Sequence, residues 1–354
     1  MLERRAKAGR ALALAAALML GAILAAPGCK NAGKLFTPKE KPKTVRPAAW
    51  YEKPFVAYFR QGADPGALEI WRMGADGSDR SLLVSIKNPK GYAIENLGPL
   101  VSIMAWNPKT LRLFYTYDKK LYRYDIKLKT NELVAEMISL PNKGMDWMWF
   151  SNDYGQILAH VAGAPDPKHE QYIQVDLTTG AQKKITPADE AWDRYSFFND
   201  RNFFMIEHKK DAETFPAPAG GLYFAFEPGK GRGGWPTLQI ARADGSRAGV
   251  TDGTQRVLAA RWTPSARALA FIPGEDCAAW CRGRIHSADP ATGQAAPVSS
   301  AMFRFDALLN MTPDADAVIF WEPGQGVLRY NFDGAPATVL DPDGAHPYLF
   351  GPAQ

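Results

Sequence analysis

From residue 50 onward the chain is written in short apolar stretches, many of them alternating with polar positions and closed by Gly, Pro, Asn or Asp. Phe55-Val-Ala-Tyr-Phe59, Leu68-Glu-Ile-Trp71, Leu111-Arg-Leu-Phe-Tyr-Thr-Tyr117, Leu121-Tyr-Arg-Tyr124, Tyr172-Ile-Gln-Val175, Leu222-Tyr-Phe-Ala-Phe226, Leu238-Gln-Ile240 and Val327-Leu-Arg-Tyr330 are short and rich in β-branched or aromatic residues. A period of two in such residues predicts strands, and the punctuating residues predict tight turns. No stretch after the N-terminal apolar run keeps a helical period over about a dozen residues. The pattern predicts an all-β fold.

The strands recur in a larger period. Six turn dipeptides, Asp76-Gly77, Lys129-Thr130, Thr179-Gly180, Asp244-Gly245, Thr292-Gly293 and Asp333-Gly334, follow one another at intervals of 53, 50, 65, 48 and 41 residues. An aromatic or apolar residue with a Pro or Asn/Asp turn stands before five of them, and an apolar pair begins seven positions on. These copies run from Trp106-Asn-Pro to Leu113-Phe114, from Phe150-Ser-Asn-Asp to Ile157-Leu158 and from Phe198-Asn-Asp to Met205-Ile206. Two more run from Trp262-Thr-Pro to Leu269-Ala270 and from Met311-Thr-Pro to Val318-Ile319. Four short strands per copy make the blade of a β-propeller, so six copies predict a six-bladed propeller over residues 50–354. The missing sixth signature is supplied at the other end by His346-Pro-Tyr-Leu-Phe-Gly-Pro352. That segment is expected to pair into the first blade and close the ring, covering both free edges. The fourth copy is long, and its surplus is assigned to Lys209–Gly220 or Pro228–Pro236.

Trp262-Thr-Pro-Ser-Ala-Arg-Ala-Leu-Ala-Phe271 and Ala243-Asp-Gly-Ser246 resemble the repeats of TolB-type propellers and of the propeller domains attached to prolyl-oligopeptidase-like enzymes. Those repeats carry a leading Trp-Ser-Pro-Asp-Gly turn and a later Asp-Gly turn. The resemblance covers residues 50–354, rests on structural motifs, and implies fold rather than function. Nothing here resembles the α/β domain that precedes the TolB propeller, so a Tol–Pal role is not carried over.

The first residues change the picture of location. Arg4, Arg5, Lys7 and Arg10 precede an uninterrupted apolar run from Ala11 to Ala26. The run is shorter than the roughly 20 residues that cross a bilayer core, which predicts a secretory signal over residues 1–28. Its end, Leu24-Ala-Ala-Pro-Gly-Cys29, resembles the lipobox of bacterial lipoproteins, with Ala26 and Pro27 departing from the usual residues. The resemblance implies acylation of Cys29 and an N-terminal membrane anchor. Cleavage after Gly28 also satisfies the small-x-small rule of ordinary secretory signals, which leaves Cys29 a plain thiol. Lys30, rather than Asp, follows the cysteine, which by resemblance to Gram-negative sorting signals implies the outer membrane, with the domain facing the periplasm. Residues 29–49 are rich in Lys and Pro with little to bury, so an extended tether is expected.

Charge follows the same division. Residues 1–49 hold ten of the 42 Lys and Arg and two of the 37 Asp and Glu, leaving 32 basic against 35 acidic residues, a balance of about −3. The basic character therefore belongs to the targeting and tether segments, and no basic domain remains to bind nucleic acid.

Candidate chemistry is sparse. Gly-x-Ser-x-Gly is absent from the sequence, and residues 50–354 leave no room for an α/β-hydrolase domain beside the propeller. His160, His169, His208, His286 and His346 are scattered singly, so no metal site and no cofactor are expected. Asp153, Asp200, Asp314 and Asp316 fall in turns, where Asp caps the backbone. Ser151-Asn-Asp-Tyr-Gly155 partly resembles the Asp-box of sialidase-type propellers, occurs once, and is read as a turn. Gly229-Lys-Gly-Arg-Gly-Gly234 lacks the strand-to-helix setting of a phosphate loop and is read as a hairpin tip. Cys277 and Cys281 are expected to form a disulfide in an oxidising compartment, which requires a turn between them. Trp147, Trp192 and Tyr195 precede leading strands and are the candidate binding face at the propeller mouth. The expectation is a non-catalytic binding or scaffolding module for an envelope protein or a glycan. The alternative is a lyase, lactonase or glycosidase whose metal or acidic site draws on His160, His208 or Asp200.

Overall fold

The computed structural model describes residues 49–351, except 65, 89–90, 92, 95–103, 138–144, 162–171, 186–202, 206–213, 219, 228–232, 278–280, 304, 314 and 334. Residues 48–354 form one compact unit, and the regular structure of their described part is β-strand apart from short 3-10 turns such as Trp50–Glu52 and Phe305–Asn310. The first sheet holds β1 (Phe55–Gln61), β2 (Ala67–Gly74) and β3 (Ser81–Lys87). The second holds β4 (Met104–Asn107), β5 (Arg112–Tyr117), β6 (Lys120–Asp125) and β7 (Thr130–Glu136), and the third β8 (Met145–Phe150), β9 (Gln156–Val161), β10 (Tyr172–Asp176) and β11 (Gln182–Ile185). After β12 (Phe203–Met205), the fourth sheet comprises β13 (Thr214–Pro216), β14 (Leu222–Glu227), β15 (Thr237–Arg242) and β16 (Arg247–Gly249). The fifth comprises β17 (Val257–Trp262), β18 (Leu269–Pro273), β19 (His286–Ala288) and β20 (Ala295–Pro297), with β12 added beside β17. The sixth comprises β21 (Ala317–Glu322), β22 (Gly326–Asn331) and β23 (Thr338–Asp341). Last in the chain, β24 (Gly344–Phe350) returns to pair antiparallel with β1.

Six antiparallel sheets, most of four strands in simple sequence order, are consistent with a β-propeller. The burial gradient within each sheet explains the sequence pattern. Phe55–Phe59 of β1 and all of β18 are buried, because these strands are covered on both faces. The last strands, β7, β16 and β20, are mostly exposed and correspondingly polar or small. Apolar clusters join neighbouring sheets. Phe55, Phe59, Leu68 and Ile70 of the first pack with Met104, Trp106, Leu113 and Tyr115 of the second. Phe114 and Leu121 of the second pack with Ile157, Ile173 and Val175 of the third. Phe215, Phe224 and Ile240 of the fourth pack with Val257, Trp262 and Phe271 of the fifth. Leu258, Ile272 and Ile285 of the fifth share a cluster with Val318 and Phe320 of the sixth and with Leu158 and Tyr172 of the third. Val56, Tyr58 and Met73 of the first pack with Ile319, Val327 and Leu340 of the sixth.

Two expectations need correcting. The copy from Phe198 to Met205-Ile206 was expected to lead the fourth unit, but Phe203–Met205 pairs with β17 of the fifth sheet. The leading strand of the fourth sheet is instead β13, which lies within the segment read as surplus loop. Phe215 explains the exchange: it is buried, stacks on Phe224 at 4.6 Å, and its carbonyl accepts the indole N–H of Trp262 at 3.0 Å. In the sixth unit a 3-10 turn, Phe305–Asn310, replaces the leading strand, and Met311 keeps only an isolated bridge to Val318.

Candidate functional site

The leading strands β24, β4 and β8 are each the terminal strand of their sheet, and β4 contacts both of the others. Together with the end of the Phe305–Asn310 turn they border a half-open cavity of about 470 Å³. Asn310 fixes that turn to β24: its amide N–H donates to the Pro347 carbonyl at 2.9 Å, and its side-chain oxygen accepts the Leu349 N–H at 3.0 Å. A side-chain amide thus takes the place of a strand neighbour on the edge of β24 away from β1. Arg261 of β17 donates to the Leu308 carbonyl at 3.1 Å and holds the same turn from the fifth sheet.

The wall is aromatic and sulfur-rich. Met104, Trp106, Met148, Trp149, Phe150 and Tyr348 line it, with Leu309, Leu349 and Phe350 completing the apolar surface. Trp106 meets Phe55 edge-to-face at 5.3 Å, and its buried indole nitrogen has no hydrogen-bond acceptor among the described residues. At the rim the turn Ser151–Gly155 brings Tyr154 against Phe150, ring centroids 5.4 Å apart, and the ammonium of Lys109 lies 4.8 Å from the Tyr154 ring centroid. Lys109 follows the Asn107 turn, whose side-chain oxygen accepts its backbone N–H at 3.1 Å.

The Asp-box-like segment is a turn, as the sequence predicts. Asp153 accepts the Ser151 hydroxyl at 2.6 Å and the Gly155 N–H at 2.9 Å, and Ser151 Oγ in turn accepts the Gln156 N–H at 2.9 Å. These hydrogen bonds, the Ser151 one foremost, hold the Asp153 carboxyl below its usual range, with the charge of Lys109 adding to them. The Ser151 hydroxyl is therefore committed to building the turn.

The residues singled out from sequence fall variously. Trp147 lies on β8 with its backbone paired to His160, which places it on a strand that borders the cavity. Cys29, Asp200, Trp192, Tyr195, His169 and His208 lie outside the described residues. Cys277 and Cys281 stand at the tip of the β18–β19 hairpin, where Asp276 and Arg282 exchange backbone hydrogen bonds at 2.9 and 2.8 Å, and their sulfurs are 2.17 Å apart. His286 contacts Glu275 at 3.3 Å, and Arg284 donates to Glu275 Oε2 from Nε at 2.9 Å and from Nη2 at 2.7 Å. Burial lowers the His286 pKa in spite of Glu275, a structural ion cluster within the fifth sheet. Among the described residues no group of three or more His, Cys, Asp or Glu could hold a metal ion.

Sequence reasoning passed over Lys109, Trp106, Trp149 and Tyr348. Trp106 and Phe150 open their repeat copies, and recurrence at leading-strand starts was the available signal for a shared central position.

No known protein family and no curated protein matches the chain. Among solved structures, TolB from Acinetobacter baumannii aligns at 16% identity and a TM-score of 0.42, over 83% of this chain and 66% of that one. A putative TolB from Agrobacterium tumefaciens aligns at 12% identity and 0.37, over 84% and 97%. The AtxE2 isopeptidase aligns at 13% identity and 0.42, over 82% and 50%. The chain thus spans about two thirds of the first protein and half of the last. At such distances the architecture rests on the strand pairings described above.

Proposed function

We propose that this chain is an exported, membrane-tethered binding module, a six-bladed propeller closed by β24 that holds an envelope protein or a glycan without transforming it. The carrying observation is the make-up of the cavity between β4, β8 and β24: aromatic faces and methionines, a few polar side chains and the Lys109 ammonium at the rim. Stacking faces with a few placed polar groups are recognition chemistry. Packing contacts running from the first sheet to the third and from the fourth through the fifth and sixth back to the first support a closed ring. In this reading residues 1–28 direct export, Cys29 carries the acyl anchor, and residues 29–49 hold the ring off the outer membrane toward the periplasm.

The test is a pull-down from detergent-solubilised envelopes with the full-length protein, its Cys29→Ala variant and a Trp149→Ala variant. A partner recovered with the first two and lost with the third supports recognition at the cavity. Equal recovery with all three places recognition elsewhere and sinks this reading of the site.

A further inference from the structure

We infer that the cavity takes an extended peptide segment in which a carboxylate neighbours an apolar or aromatic side chain, and that Lys109 selects the charge. This rests on the binding-module reading and names its ligand class. Lys109 is exposed at the rim, stacked on Tyr154. The acid that feels its charge, Asp153, is already engaged by Ser151 and Gly155. An ammonium carries three donors, and a ring face satisfies none of them as a carboxylate does. An anionic group on the ligand is the complementary partner.

The rest of the wall distinguishes a peptide from a sugar. A sugar presents hydroxyls in every direction and needs many polar partners, yet two polar side chains of the lining are spent internally. Ser151 Oγ serves Asp153 and Gln156, and both ends of the Asn310 amide serve β24. Besides Lys109, Asn152 and the tyrosines Tyr154 and Tyr348, what remains is the apolar surface of Met104, Met148, Trp149, Phe150 and their neighbours. The bordering strands β4 and β8 are terminal strands of their sheets, and among the described residues each is paired along one edge; such an edge is the surface to which an extended peptide adds main-chain hydrogen bonds while alternate side chains enter a pocket. The volume of about 470 Å³ suits a few side chains and not a folded element.

The experiment selects a random heptapeptide display library on the full-length protein in detergent micelles, in parallel with Lys109→Glu. Lys109 is exposed, and matching thermal melts verify that the variant folds. The expected result is enrichment of Asp or Glu beside Phe, Trp, Leu or Met, replaced by Lys or Arg enrichment on the variant. The best synthetic peptide should lose on the order of tenfold in affinity on Lys109→Glu. Enrichment without charge bias, or with a bias unchanged by the substitution, overturns the inference and leaves the binding module standing. Retention of an oligouronide but of no peptide also overturns it, since the anion would then be a sugar acid. Failure of the peptides and the oligouronide alike, together with an empty pull-down, removes both readings.

Discussion

Asp76, Asp244 and Asp333 each accept the N–H two residues on, whereas Asp125, Asp176 and Asp289 each accept two N–H groups, two and three residues on. In the second class the residue four positions after the Asp adopts a left-handed φ: +73° at Gly180, +75° at Gly293 and +54° at Lys129. Lys129 therefore stands where the other copies use glycine. A side chain there is strained by about 1 kcal/mol, partly offset by the greater freedom glycine gains on unfolding. Lys129→Gly is expected to be neutral or to stabilise by up to about 1 kcal/mol, read from denaturant midpoints. Gly293→Ala should instead cost on the order of 2 kcal/mol, because its Cβ would lie 2.4 Å from the Gly249 carbonyl oxygen of the neighbouring sheet.

His346 offers a second test at this scale. Burial, with the Trp321 ring 4.5 Å away, pushes its imidazole from 6.5 down to about 4, against a contact to the Ile94 carbonyl at 3.3 Å. The unfolded chain takes up this proton near 6.5 and the folded chain only near 4, so the group's contribution is full above 6.5 and is lost as pH falls toward 4. His346→Asn keeps a residue tolerant of φ +50° and removes the titration. Its unfolding midpoint should fall less steeply than that of the unsubstituted protein over this interval, and identical slopes would show that His346 is not responsible.

At the scale of elements, β24 carries the most consequence. It pairs Phe350 with Phe55 and Tyr348 with Ala57, then slips register so that Ala345 faces Phe59. The slip is a bulge at His346-Pro347, which accommodates a proline inside a strand. Beside it the Tyr58 hydroxyl donates to Asp341 at 2.7 Å, and Asp341 is 1% exposed at the end of β23. Tyr58→Phe should cost about 1–3 kcal/mol by leaving that buried carboxylate without its neutral donor. Truncation before Gly344 should do far more, opening the β1 edge and the faces of two clusters, with loss of a cooperative melt as the expected result. A truncated protein melting as the intact one does would remove β24 from the fold's support. The strand was visible in the sequence because it repeats a leading-strand signature. The exchange of β12 and β13 was not visible, because Phe203–Met205 fits the repeat as well as Thr214–Pro216 does. Only the stacking of Phe215 on Phe224 and its bond to Trp262 select the latter.

For the whole molecule, the proposed anchor is separable from the β-sheet domain. Cys29→Ala should move the protein from the membrane to the soluble fraction and abolish incorporation of labelled palmitate, with the melting curve unchanged. Persistent membrane association without label would replace the lipid anchor by another tie. In the native protein, intact mass is expected to show Cys277 and Cys281 each short of one hydrogen, as a disulfide requires.

By itself the sequence determined the class of structure and its repeat, because strand alternation, turn residues and buried apolar runs are local properties that survive without any partner. It also marked the copies whose leading aromatics, Trp106 and Phe150, open onto the cavity. Tertiary structure alone decided which of those side chains meet, that a 3-10 turn supplies Asn310 in place of a strand, and that Lys109 stacks on Tyr154. Those contacts join residues far apart in the chain. They depend on how neighbouring sheets pack, and packing between sheets leaves no period in a sequence.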